Sequence, residues 1–125
     1  MTTTLRVRVA PSDARYGGGL VDGAYVMRLF GDAATELLLR HDGDEGLFRA
    51  YAFVEFLAPV ASGDYLEVEA EMLRAGRTSR DIGFVARKLV AGCADGRAVV
   101  LERPIVVARA KGTCVVPVER QRQAR

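Results

Sequence analysis

The sequence has few of the residues that build metal sites and disulfide bonds. Its 125 residues include no tryptophan, one histidine and two cysteines. His41, Cys93 and Cys114 form no CxxC motif, and they are too few for the four ligands of a structural zinc site unless carboxylates join them. We therefore expect no structural metal. The N-terminal residues also lack the apolar core of a signal peptide, so we expect a cytoplasmic protein in which both cysteines are reduced.

Long apolar runs and a strong net charge are also lacking. The longest apolar stretches fall far short of the ~20 residues that a membrane-spanning helix requires. The formal net charge of +2 is too small to favour a nucleic-acid partner. With 50% hydrophobic and 27% charged residues, the composition is that of a globular protein. The length predicts one domain, residues 1–118, followed by a basic tail, residues 119–125, that we expect to be disordered.

The apolar residues that are present follow two different periods. Alternation at Leu5, Val7 and Val9 predicts a first strand that ends at Pro11. Apolar residues at helical spacing then predict one long amphipathic helix over residues 22–40. A turn-rich acidic loop at residues 41–46 follows, and four further strands are predicted at residues 49–57, 65–73, 80–89 and 99–116.

This order of elements predicts an α+β fold in which an antiparallel sheet covers a single helix. In the strand at residues 65–73, Leu66, Val68, Ala70 and Met72 alternate with glutamates, so one face of the sheet must contact water. The edges of such a sheet are left unpaired. Because unpaired edges invite pairing with a second chain, we expect at least a homodimer.

Several strings of residues are more specific than the periodic pattern. Residues 54–60 (VEFLAPV), the Gly-Asp pair at 63–64 and residues 74–79 (RAGRTS) together resemble the pattern of hot-dog thioesterases. A closer resemblance is to the 3-aminobutyryl-CoA ammonia-lyase family. It rests on residues 16–24 (YGGGLVDGA), 29–38 (LFGDAATELL), 42–48 (DGDEGLF), 54–60 and 102–117 (ERPIVVARAKGTCVVP). Two positions depart from the family pattern, where Arg15 replaces a histidine and Gly19 an asparagine.

The resemblance implies a hot-dog fold, an antiparallel sheet wrapped around one long central helix. It implies a lyase that eliminates ammonia or an amine from the beta carbon of an acyl thioester, or adds it there. Coenzyme A or an acyl carrier protein would carry the acyl group, with no separate cofactor. A homodimer, or a hexamer built as a trimer of dimers, is implied, without a nucleic-acid or membrane partner. Two alternatives stay open: a hot-dog thioesterase that hydrolyses acyl-CoA or acyl-ACP, and a non-catalytic acyl-CoA-binding module.

Such an elimination needs a base for the alpha proton and dipoles that stabilise the developing enolate oxygen. Gly17, Gly18 and Gly19 lead into the helix N-terminus, where backbone amides can approach a thioester carbonyl. Glycines that merely permit a tight turn are the alternative. Tyr16, which could donate a hydrogen bond or simply pack at the turn, and Gly23 complete the predicted substrate-binding set.

Glu55 is the first candidate for the catalytic base, because the largely apolar residues of its strand predict a sheltered carboxylate with a raised pKa. The alternative is a structural partner of an arginine, at a rim or a dimer contact. Asp22 is the second catalytic candidate, and it is either a helix N-cap or a carboxylate that binds the substrate ammonium. The predicted CoA-binding residues are Arg77, Thr78, Ser79 and Arg80.

Overall fold

The strands form one antiparallel sheet in the order β1-β3-β4-β5-β2. The computed structural model of the chain describes residues 1–92 and 95–122, so the prediction for Cys93 lies outside the described residues. The elements are β1 (Thr2–Arg8), α1 (Gly23–Asp42), β2 (Leu47–Phe56), β3 (Tyr65–Ala75), β4 (Ser79–Gly92) and β5 (Ala98–Val115), with 3-10 turns at Pro11–Asp13, Gly17–Gly19 and Val118–Arg120. The predicted α+β hot-dog architecture is confirmed.

The long helix packs against one face of the sheet, mainly on β3 and β1. Apolar residues every three or four positions form its buried stripe, and Phe30 and Leu37 have no solvent exposure at all. The ring of Phe30 lies 5.1 Å from that of Phe84 on β4. The helix ends at Gly43, whose φ of 76° is the left-handed conformation that favours glycine. It therefore runs two residues into the segment predicted as a loop.

The two faces of the sheet differ as the alternation in β3 predicts. Leu66, Val68 and Ala70 are fully buried beneath the helix. The glutamates between them lie on the outer face, where Glu67 is 3.3 Å from Arg6. One face of the sheet thus forms the core, and the other carries charged residues.

Strand β2 lies at one edge of the sheet and is irregular. Its register against β5 shifts between Phe48 and Ala50 and again between Tyr51 and Phe53. After these bulges Val54 and Phe56 face the helix side, while Phe53 and Glu55 lie on the outer face. Strand β1 forms the other edge of the sheet, and an unpaired edge is open to pairing with a second chain.

The C-terminal segment differs from its expected disorder over residues 119–122. The Gln121 side-chain amide donates to the carbonyls of Arg77 (2.7 Å) and Val116 (2.9 Å). The Arg122 amide donates to the Asp42 carbonyl at 2.7 Å. These hydrogen bonds fasten the segment to the end of the helix and to the turn between β3 and β4. Residues 123–125 lie outside the described part of the chain.

Candidate functional site

A cavity of about 550 Å³ opens where the helix begins. The glycine turn and the first helical turn form one wall, and residues 56–60 form the other. The lining is mostly apolar, and Asp22 is its acidic member. The full lining is Tyr16, Val21, Asp22, Gly23, Val26, Phe56, Leu57, Ala58, Pro59, Val60 and Val107. Few polar groups in an apolar cleft are typical of a small-molecule site.

The glycine turn has a conformation that its glycines require. Gly18 and Gly19 have φ values of 74° and 75°, a region in which residues with a Cβ atom are strained. The amides of Arg15 and Tyr16 both donate to the Leu20 carbonyl, at 2.9 and 3.0 Å. The tight-turn interpretation therefore holds at these two glycines, and the turn also leads directly to the helix N-terminus.

Asp22 is the N-cap of the helix. Its Oδ1 accepts a hydrogen bond of 3.2 Å from the Tyr25 amide, so the structural alternative for this residue is observed. Asp22 also lines the cavity, and it lines a second, polar cavity of about 470 Å³ that includes Asp13, Arg15 and Arg28. An N-cap bond engages one carboxylate oxygen, so this role and a role in the chemistry are compatible.

Gly23 allows the helix to approach Phe56 closely. A Cβ atom on Gly23 would lie 2.5 Å from the Phe56 ring, which is far inside van der Waals contact. A side chain at position 23 would therefore push the two walls of the cavity apart. Tyr16, at the mouth, is 61% exposed, so the single chain supplies it little packing.

The expectation that Glu55 is sheltered is wrong for the single chain. Its side chain is 46% exposed and lies 3.6 Å from Arg109, whose own side chain is 55% exposed. The reason is the edge position of β2, which leaves Glu55 on the outer face with a neighbouring strand on one side only. The structural alternative, pairing with an arginine, is observed here within one chain.

The predicted CoA-binding residue Arg80 is also corrected. Its side chain is 3% exposed and binds Asp42 through two hydrogen bonds, Nε to Oδ2 at 2.9 Å and Nη2 to Oδ1 at 2.8 Å. Nη1 donates to the carbonyls of Gly76 and Ser79. The guanidinium is therefore occupied inside the protein and is not available to a CoA phosphate. Arg77 remains exposed, and Thr78 and Ser79 are half-buried.

The structure separates the two halves of the predicted site within one chain. Asp22 lies at the start of a 20-residue helix, and Asp42, which holds Arg80, is its last residue. At 1.5 Å per residue such a helix is about 30 Å long. The turn that carries Arg77 therefore lies at the opposite end of the helix from the cavity.

Sequence reasoning missed two buried charged pairs, Asp42 with Arg80 and Asp64 with Lys88. One signal was present. Arg80 and Lys88 occupy inward positions on β4, at either end of the alternating core residues Ile82, Phe84 and Ala86. A charge at an inward position predicts a buried partner.

The described residues contain neither a metal-binding cluster nor a membrane-spanning helix. No group of three or more histidine, cysteine or acidic side chains among them is arranged to hold a metal ion. None of the helices in the described ranges is long and apolar enough to cross a membrane. Cys114 is buried, and burial raises the pKa of its thiol to about 11, so it stays protonated at neutral pH.

A five-stranded antiparallel sheet around one long helix, with a cavity at the helix start, defines a hot-dog-fold protein. The family model of the Thioesterase superfamily matches residues 18–88. A 3-aminobutyryl-CoA ammonia lyase of Acetoanaerobium sticklandii is 56% identical, and the match covers 98% of this chain and 100% of the relative. The chain thus belongs to the Thioesterase superfamily and, within it, to the 3-aminobutyryl-CoA ammonia lyase family. The family resemblance carried by the sequence motifs is confirmed.

Solved structures agree with this placement. The beta-alanyl-CoA:ammonia lyase of Clostridium propionicum is 32% identical, with a TM-score of 0.95, over 100% of this chain and 91% of that chain. A hexameric hotdog fold thioesterase of Campylobacter jejuni shares the fold at 19% identity, with a TM-score of 0.76, over 95% of this chain and 86% of that chain.

Proposed function

We propose that this protein is a carbon–nitrogen lyase that interconverts a 3-aminoacyl-CoA with the corresponding 2-enoyl-CoA and ammonia. The observation that carries the proposal is the 56% identity to a 3-aminobutyryl-CoA ammonia lyase over the whole of that relative. Because this relationship spans the chain, it includes every residue that lines the cavity. The acyl-CoA thioester is the substrate, and coenzyme A enters as part of it.

The reaction balances without a further reactant. Starting from the protonated 3-amino group, a base removes the alpha proton, the C–H electron pair forms the double bond, and the C–N bond breaks so that neutral ammonia leaves with the electron pair of that bond. The removed proton converts ammonia to ammonium. Negative charge develops on the thioester oxygen, and we place that oxygen at the glycine turn and the helix N-terminus, where backbone N–H groups favour it.

We assign Asp22 to proton transfer or to binding of the substrate ammonium, because it is the acidic residue in the cavity lining. Its N-cap hydrogen bond holds the carboxylate in one orientation, which suits a residue that must meet one substrate atom. The apolar residues opposite, Phe56, Leu57 and Val60, suit the acyl chain.

Glu55, the first candidate from the sequence, is kept as a catalytic candidate behind Asp22, and its role depends on a second subunit. The residues around it, at the end of the edge strand and just beyond it, are exposed and apolar: Phe53 (43%), Phe56 (54%) and Leu57 (50%). A second copy that paired along β2 would cover them and shelter Glu55. We therefore propose a homodimer through β2, with a hexamer of three such dimers as the larger assembly.

A two-fold pairing along β2 would also bring the cavity and the predicted CoA-binding turn close together, from two different copies of the chain. Antiparallel pairing sets the Phe56 end of one strand beside the Leu47 end of the other. The Leu47 end lies near the C-terminal end of the helix, where Gly46 approaches Leu38. The turn that carries Arg77 lies at the same end of the helix. In the dimer the Arg77 turn of one copy would approach the cavity of the other, where CoA phosphates need cations. Light scattering that finds only a 13.6 kDa species at micromolar concentration contradicts this arrangement.

The activity is tested by product analysis. Purified protein is mixed with crotonyl-CoA and ammonium, and mass spectrometry follows the thioester. The proposal expects a product heavier by one ammonia, and in deuterated water it expects exchange at the alpha carbon. The match to the Thioesterase superfamily favours one alternative, hydrolysis. A thiol reagent that detects free CoA without any amination would establish hydrolysis and reject the lyase.

A further inference from the structure

Behind the second wall of the cavity lies a buried carboxylate that the chemistry above does not use. Asp64 is 1% exposed and its side chain accepts two backbone hydrogen bonds. The Ala61 amide donates to Oδ2 at 2.8 Å and the Gly92 amide donates to Oδ1 at 2.9 Å. Asp64 therefore ties the turn before β3 to the end of β4.

Lys88 is the charged partner of this carboxylate. Its side chain is 14% exposed, and its Nζ lies 3.1 Å from Asp64 Oδ2. The same ammonium donates to the carbonyl of Pro59 at 2.8 Å. Pro59 lines the cavity, so Lys88 connects the wall of the site directly to β4.

The segment that Lys88 and Asp64 hold is bonded in turn to the other wall. The Ser62 amide donates to the Gly19 carbonyl at 2.8 Å, and the Val21 amide donates to the Val60 carbonyl at 2.9 Å. Leu20 and Ala61 form an isolated bridge between these bonds. The glycine turn and the residue before Asp22 are thus positioned by the segment that the ion pair secures.

Close backbone packing also restricts the position of the turn before β3. A Cβ atom on Gly92 would lie 2.5 Å from the backbone of Gly63, so the turn and β4 are in direct backbone contact. A partly buried lysine costs free energy unless it is paired, and an apolar side chain at position 88 would fill the space without binding Pro59. The choice of lysine at this inward position is explained by the two oxygens that it binds.

We propose that Lys88, acting with Asp64, is a positioning residue of the lyase site. Its ammonium fixes the position of the cavity wall at Pro59. Through the hydrogen bonds at Gly19 and Val21, that wall in turn fixes the position of the glycine turn and of Asp22. The inference rests on the proposed lyase function. It predicts that removal of the ammonium lowers kcat more than it raises KM, because the turn and Asp22 act on the transition state while the apolar wall still binds the thioester.

The test compares Lys88→Met, which keeps the length of the stem, with Lys88→Arg, which restores a cation. Arg87→Met is the matched control, because Arg87 is the next residue on β4 and its side chain lies on the outer face near Glu67 and Glu69. We expect kcat of Lys88→Met to fall by about 10- to 100-fold, the scale of a displacement near 1 Å. Lys88→Arg should recover part of it, and Arg87→Met should stay near wild type.

Hydrogen exchange supplies a readout that does not need turnover. In Lys88→Met the amides of Val21 and Ser62 should exchange faster, while core amides such as that of Phe84 stay protected. If Lys88→Met lowers the melting temperature but the folded enzyme keeps wild-type kcat and KM, Lys88 is only structural and the inference is overturned. Unchanged exchange at Val21 and Ser62 overturns it as well. An inactive wild type rejects the proposed function alone, because the exchange comparison still reports whether Lys88 positions the two walls.

Discussion

Replacing Asp22 with asparagine separates its two roles, because asparagine caps a helix about as well as aspartate. The hydrogen bond from the Tyr25 amide can persist, so the free energy of unfolding should fall only by the lost attraction between the carboxylate and the helix dipole, at most about 1 kcal/mol. The effect on turnover should be much larger. Loss of a general acid or base typically costs ~10²–10⁴ in rate, which corresponds to about 3–5 kcal/mol of transition-state free energy.

Asp22→Ala is the companion variant, because it removes both the carboxylate and the cap. Its unfolding free energy should fall by about 1 kcal/mol more than that of Asp22→Asn, while its turnover should match that of Asp22→Asn. The difference in stability between the two variants therefore measures the cap, and their shared loss of rate measures the chemistry. Melting curves and alpha-proton exchange of the thioester in deuterated water give both quantities from one preparation.

One result refutes the assignment. If Asp22→Asn exchanges the alpha proton at the wild-type rate and Asp22→Ala loses only stability, Asp22 is an N-cap and nothing more. The base must then be sought at Glu55 in the assembled protein.

Three further outcomes follow from the structure. Glu55→Gln should change the free energy of unfolding by less than about 1 kcal/mol, because the ion pair of Glu55 is exposed in the single chain. If the assembly makes Glu55 the base, the variant should also lose alpha-proton exchange. Normal exchange in a variant that is still dimeric shows that Glu55 takes no part in the chemistry. Arg80→Met removes both hydrogen bonds between Arg80 and the buried carboxylate of Asp42 and should cost about 3–5 kcal/mol in urea unfolding, whereas a loss below about 1 kcal/mol contradicts the tight pairing. Burial alone would raise the pKa of Asp42, but contacts from Arg80 and His41 outweigh it and hold the pKa below its ordinary value. The stabilisation from Asp42 is therefore present above an ordinary aspartate pKa of about 4 and is lost as the pH falls through the lowered value. In Asp42→Asn the free energy of unfolding should no longer show this loss as the pH is lowered. A pH dependence equal to that of wild type contradicts it.

Much of the fold was predictable because it follows from local periodicity. The alternation in β3 and the helical spacing from Val26 to Leu38 need only near neighbours in the chain to be recognised. Both elements lie where they were predicted, and each continues two residues further. The glycine turn was predictable for a similar reason, since Gly18 and Gly19 adopt a conformation that other residues avoid. The family followed from long runs of matching residues.

The class of fold, the family and the location of the glycine turn ahead of the helix follow from the order of residues alone. Which carboxylates are buried depends on how the sheet and the helix pack together. Glu55 has apolar neighbours in sequence, yet at a sheet edge it is exposed, because alternation assigns a residue to a face without saying what covers that face. Asp42 and Asp64 are buried because Arg80 and Lys88, far along the chain, reach them only after the sheet has formed. Burial of a charge depends on such distant partners, and local sequence does not specify them.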